Sequence, residues 1–198
     1  TEGDILIDKN LTLETSSGRA TVDGDDESSV FEIEEDAVVR LEDLTVENAT
    51  YAILINHGIT TLSTVYVNGD GVTTTTYGGI VNYSTGELLI KDSSVVQNNV
   101  SILGGGINNF GILEIENSTL IGNEGWYGGG LNNSQGHVWV SASSISNNHA
   151  VGRGGGYANV HGSGGTVTVT STASYSGNTA DVDCDKYYDV HRTPNCVN

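Results

Sequence analysis

The chain has 198 residues with 25 acidic and 7 basic side chains, a formal net charge of −18. This argues against nucleic acid as a partner, which needs a basic footprint, and against anionic membranes or polygalacturonate without a bridging cation. Twenty-seven glycines against one proline imply many tight corners, and the length suits one domain with a continuous core.

Within residues 1–24, Ile5, Ile7, Leu11, Leu13 and Val22 alternate as in strands, which predicts a first, irregular coil. Asp23-Gly24-Asp25-Asp26-Glu27 is an acidic turn. It reads either as a solvated corner or as a calcium loop in which Asp23, Asp25 and Asp26 supply oxygen ligands. Calcium is the one cofactor the sequence suggests. Phe31 to Asn48 forms the next coil, with Phe31, Ile33, Val39, Leu41, Leu44 and Val46 inward, and Ile53 to Asp70 follows. Val72 to Tyr77 reads as a corner insertion whose threonines are not repeated in other coils, so a regular ice-binding array is not expected.

From Gly78 a repeat takes over. GGIVNYSTGELLIKDSSVVQN (78–98) is followed by GGGINNFGILEIENSTLIGN (104–123), GGGLNNSQGHVWVSASSISNN (128–148) and GGGYANVHGSGGTVTVTSTASYSGN (154–178). A period in the twenties indicates stacked supersecondary units. Leu88 and Ile90 align with Leu113 and Ile115, Val138 and Val140, and Val167 and Val169, the period-two pattern of half-buried strands. A second apolar position is expected at Val95, Leu120, Ile145 and Tyr175, each three residues before Asn98, Asn123, Asn148 and Asn178. Another asparagine column holds Asn56, Asn82, Asn109, Asn133 and Asn159. Stacked asparagines at one place in successive coils form amide ladders. Strand, corner, strand, corner at a fixed period predicts an all-β parallel solenoid of about seven coils.

The glycine-glycine-aliphatic starts and the apolar-x-x-Asn ends resemble the paired GGA[ILV] and FxxN repeats of chlamydial polymorphic outer-membrane proteins. Here Gly replaces Ala in three units, and Val, Leu, Ile or Tyr replaces Phe. Residues 5–178 also resemble secreted bacterial and archaeal β-helix proteins with pectate-lyase-like folds, with Val22-Asp23-Gly24 and Leu44-Thr45-Val46-Glu47-Asn48 as opening coils. The resemblance implies a single-stranded parallel β-helix, right-handed as crossover connections are. It leaves function open, because such helices host lyases, hydrolases, adhesins and ice-binding proteins.

If Leu113 and Ile115 point inward, then Ile112, Glu114 and Glu116 point outward. Trp139 then lies between Glu114 and Thr168 on a flat outer face, with His137 and Glu116 nearby. An exposed tryptophan among carboxylates can stack on a sugar ring while the acids accept hydroxyl hydrogens. The alternative is that the C-terminal tail or a partner subunit covers Trp139. Tyr77, Leu103, Trp126, Tyr127 and Arg153 precede the glycine pairs and are expected to project from loops, forming either a binding rim or a packed cluster.

Residues 1–180 form the helix in this reading, and 181–198 a capping tail of the same domain, with Tyr187 and Tyr188 over the last coil. Cys184 and Cys196 would close a small disulfide loop in an oxidising compartment. The chain starts at Thr1, with no signal peptide or transmembrane run, so it reads as a mature or trimmed secreted or cell-surface region without direct membrane insertion. Six Asn-x-Ser/Thr sequons occur, at Asn10, Asn48, Asn82, Asn99, Asn117 and Asn132, in a chain rich in those residues.

HExxH, GxSxG, P-loop and GxGxxG signatures are absent, and the five histidines follow no metal-ligand spacing. His57, beside Asn56, reads as structural. A glycosidase needs two carboxyls about 5 to 9.5 Å apart. Glu114 and Glu116, with His137, are the residues that could meet this, and the alternative is a solvated strand face. The leading expectation is a non-catalytic, adhesin-like module that presents a flat face and a loop rim to a polysaccharide, a cell-surface glycan or a protein, as a monomer or an oligomer. A polysaccharide lyase or glycoside hydrolase on the same scaffold and a structural spacer are the alternatives.

Overall fold

The computed structural model describes residues 4–69, 77–92, 95–97, 101, 103–159, 164–181, 186–190 and 193–195, with the backbone alone described at 27, 95, 186–190 and 193–195. The described elements are all strands, arranged as a parallel β-solenoid of about six turns, close to the seven expected. Repetition at the coil period dictates this, because each coil has too little apolar area to form a core alone and buries it on its neighbours.

One side of the solenoid is a seven-stranded parallel sheet, from Leu11–Leu13 through Val38–Glu42, Ile59–Ser63, Glu87–Lys91, Ile112–Glu116 and His137–Ser141 to Thr166–Val169. Two further sides form one fourteen-stranded sheet, because Ala20–Ile33 and Leu44–Asn56 run round a corner without a break. Asp25, Asp26 and Asn48 turn that corner with positive φ, which short polar side chains tolerate. A third, three-stranded sheet joins Glu124–Tyr127, His149–Arg153 and Thr179–Ala180 in the C-terminal coils.

The core is a set of columns running along the axis. Phe31, Leu54, Ile80, Ile107, Leu131 and Tyr157 stack in register on one wall. Leu41, Leu62, Ile90, Ile115 and Val140 stack on the second and are all buried. On the third wall, Val46, Val67, Val96, Leu120, Ile145 and Tyr175 are in register. This corrects the expected column by one residue: Val96, buried, aligns with Leu120, while Val95 aligns with Thr119. In a strand with two adjacent valines, apolarity alone does not choose the inward one, and a one-residue slip exchanges the faces.

Asparagines fill two interior corners as ladders. Asn56, Asn82, Asn109 and Asn133 each donate Nδ2 to the Oδ1 of the next coil's asparagine, ending at Asn159, at 2.7–2.8 Å. Each Nδ2 also reaches a glycine carbonyl of its own coil, at Gly58, Gly86, Gly111 and Gly136. Glycine is required there: a Cβ on Gly111 would stand 2.3 Å from two backbone oxygens. Ile33 occupies the Asn56 position one coil earlier, so the Asn56 Oδ1 has no ladder donor. Thr60, a hydroxyl within an apolar column, supplies it at 2.7 Å. A shorter ladder runs from Asn123 through Asn148 to Asn178.

The backbone of the tail contributes Lys186–Val190, parallel to Tyr157–Asn159, and Thr193–Asn195 turns back antiparallel. The expected disulfide of Cys184 and Cys196, the side chains of Tyr187 and Tyr188, and residues 72–76 of the insertion lie outside the described residues and side chains.

Candidate functional site

On the seven-stranded sheet, alternation places one set of side chains in the core and the other in solvent. Two columns of the outer set frame the tryptophan. Val38, Ile59, Glu87, Ile112, His137 and Thr166 are in register, and beside them run Arg40, Thr61, Leu89, Glu114, Trp139 and Thr168. Trp139 is therefore flanked by Glu114 and Thr168, as the pattern predicted, and it is 44% exposed. The His137 ring lies 6.2 Å from the Trp139 ring at 33°, and His137 Nδ1 is 3.0 Å from Thr166 Oγ1. In the column beside Trp139, Val38, Ile59 and Ile112 are also more than two-fifths exposed, a broken apolar row interrupted by the exposed Glu87 between Ile59 and Ile112. That row is not apparent from Trp139 alone. It ends at a depression of about 410 Å³ lined by Asn10, Thr12, Val38, Arg40 and Thr61.

Glu114 and Glu116 are successive outward residues of one strand, both exposed, and their Cα atoms stand about 6.6 Å apart from the strand rise. The three residues singled out for catalysis are thus neighbours on an open sheet.

The second set of candidate residues is arranged differently from the expectation. Trp126, Tyr127 and Arg153 lie on strands of the third sheet and not on loops, with Tyr127 opposite Arg153. The glycine triplets hid this, because the strands between them are short. His149–Arg153 carries one more residue than Glu124–Tyr127 over the same span, a β-bulge opposite Trp126. Bulges re-aim side chains. Trp126 is 49% exposed, and its Nε1 and Cδ1 lie 3.0 and 3.1 Å from where a Cβ on Gly152 would stand. On the same face His149 lies 3.0 Å from Thr179 Oγ1 through Nδ1 and 3.7 Å from Asp181 Oδ2 through Nε2.

Tyr77 belongs to neither set. It meets Tyr51 edge-on at 5.1 Å, in an outer cluster with Tyr83 and Phe110 that covers Ala52, Ile55 and Val81. Burial, with hydrogen bonds to Tyr83 and Tyr77, raises the pKa of the Tyr51 hydroxyl. His57 stacks on Tyr83 at 4.4 Å and 6°, a packing role.

In the acidic turn, Asp23 Oδ1 accepts hydrogen bonds from the Asp25 N–H and the Asn48 amide, which lower its pKa. Among the described residues no three His, Cys, Asp or Glu side chains gather as a metal-binding group, Asp23, Asp25 and Asp26 included. Of the sequons, Asn82 and Asn132 are buried, Asn117 is exposed and Asn99 lies outside the described residues. The comparison of this chain with protein-family models, with curated proteins and with solved structures finds no match.

Proposed function

We propose that this chain is a non-catalytic, adhesin-like binding module, secreted or displayed on a cell surface, that holds a glycan on its flat sheet face at Trp139. The observation that carries the reading is the half-exposed indole set between Glu114 and Thr168, with His137 beside it. An indole offers a pyranose ring a large apolar face at low conformational cost, and adjacent carboxylates and hydroxyls accept or donate hydrogen bonds to its edges. The placement of Glu114 and Glu116 side by side on one strand face favours binding over hydrolysis, since a glycosidase sets its two carboxyls on either side of the scissile bond. The repeats that resemble those of polymorphic outer-membrane proteins support a surface role.

A glycan-array and polysaccharide-degradation screen of the wild type beside Trp139→Ala and Glu114→Gln tests this. The expected result is saturable binding without product, lost in Trp139→Ala and weakened in Glu114→Gln. Product that disappears in Glu114→Gln would replace the binding module with a hydrolase.

A further inference from the structure

The chain contains two tryptophans, and the fold sets them on different sides. Trp139 lies on the seven-stranded sheet and Trp126 on the three-stranded one. Along each coil a strand of the fourteen-stranded sheet, such as Thr119–Ile121, comes between those two sides. No short ligand can touch both indoles.

Both indoles are close to half exposed although the cores of their coils are fully buried. Each has a carboxylate on its own face: Glu114 beside Trp139, and Glu124 two residues before Trp126 on the same strand, which places both outward. The bulge and Gly152 add a second, independent observation. They let Trp126 reach over the next coil, where a side chain at residue 152 would meet both its ring and its backbone oxygen.

We propose that the three-stranded sheet carries a second glycan site centred on Trp126, with Glu124 beside it on the same outer face, so that one molecule bridges two glycan chains. This rests on the reading of Trp139 as a glycan platform. The chemistry of the occupant follows from charge. With a net charge of −18 and a carboxylate next to each indole, the molecule attracts polycations and repels polyanions, so the class that fits is an amino-sugar polymer, whose pyranose rings stack while its ammonium groups meet Glu114 and Glu124.

Because there are two tryptophans, each site can be read alone by indole fluorescence. In Trp139→Ala the remaining indole is Trp126, and in Trp126→Ala it is Trp139. Both side chains are half exposed, so neither truncation opens the core. Each variant, checked for folding by circular dichroism, is titrated with glucosamine hexamer at about pH 5.5, and the wild type is mixed with long-chain chitosan. The expected result is a saturable emission change in both variants. The wild type should also form chitosan aggregates that either substitution abolishes, with at least a roughly tenfold loss of apparent affinity for the long polymer. A response of Trp139 with none from Trp126 overturns the second site and leaves the first intact. A response of Trp126 alone overturns bridging and moves the glycan site to the third sheet. No response from either indole removes both platforms for this ligand class.

Discussion

Five of the strands of the seven-stranded sheet are left through one residue in the left-handed region, and the residues that do so are chemically unequal. Asp43, Thr64, Asp92, Asn117 and Ala142 hold this position with φ between 45° and 58°. Asp and Asn accept that backbone because their short polar side chains bond locally, whereas a Cβ-bearing residue without such help is disfavoured by about 1–2 kcal/mol. Threonine is the worse of the two exceptions, since a β-branched residue at positive φ is a genuine outlier. Thr64→Asn and Ala142→Asn, which copy Asn117 of the same column, should each stabilise the protein by roughly 0.5–1.5 kcal/mol. Three coils separate them, about 14 Å at the inter-strand spacing, so the gains should add. Thermal melting of the two single variants and the double checks this. A melting temperature unchanged or lowered in Thr64→Asn would mean that its contacts outweigh its backbone strain.

Between strands, the repeating element is the asparagine–glycine pair, and its energetics depend on where in the ladder it sits. Asn109 accepts from Asn82 and donates to Asn133 and to the carbonyl of Gly111. Asn109→Ala leaves the buried Asn133 Oδ1 without its donor and a void beside Gly111, and should cost about 2–4 kcal/mol. Asn159→Ala, at the ladder's end, leaves Asn133 Nδ2 still bonded to Gly136 O and should cost about half as much. Urea denaturation separates the two, and equal losses would show that the ladder is not cooperative along the axis. This element could be read in the sequence, because the asparagines, the glycines after them and the alternating aliphatics recur in step and have no helical interpretation. What escaped has physical reasons. Val95 and Val96 are equally apolar, so only pairing with Thr119 and Leu120 sets which one is buried. The strands Glu124–Tyr127 and His149–Arg153 are short, rich in glycine and interrupted by a bulge, and give no period-two signal. Thr60 stands in an apolar column because the Asn56 Oδ1 needs a donor, a demand that only the coil-to-coil pairing of Asn56 with Ile33 creates. The neighbours of Trp139 were legible because register transfers from coil to coil. Its exposure, and that of Val38, Ile59 and Ile112 in the neighbouring column, are properties of the assembled surface.

At the scale of the whole molecule the dominant electrostatic fact is an imbalance that no set of local contacts offsets. Among the described residues the ion pairs are Lys9 with Asp8, Arg40 with Glu42 and Lys91 with Asp92, joined by His57 with Glu32 and His149 with Asp181 only when those imidazoles are protonated. They join residues close in sequence or on adjacent coils, none has both partners buried, and exposed pairs are worth about 0–1 kcal/mol each. Against them stand 25 acidic and 7 basic side chains in a chain of 198 residues. Mutual repulsion of that excess favours the expanded chain, and salt screens repulsion and pairing alike. Which of the two is larger sets the sign of the salt effect. With few pairs and a long-range excess, added salt should stabilise. The Debye length contracts from about 30 Å at 0.01 M to about 10 Å at 0.1 M, so distant charges stop interacting while adjacent coils, about 4.8 Å apart, are affected little. The melting temperature should rise by several degrees between about 10 mM and 0.5 M sodium chloride, with most of the rise below about 0.1 M. A fall over that range would mean that the ion pairs, and not the net charge, govern stability. The same screening should weaken the attraction of an amino-sugar polymer, so stability and glycan affinity are expected to move in opposite directions as salt is raised.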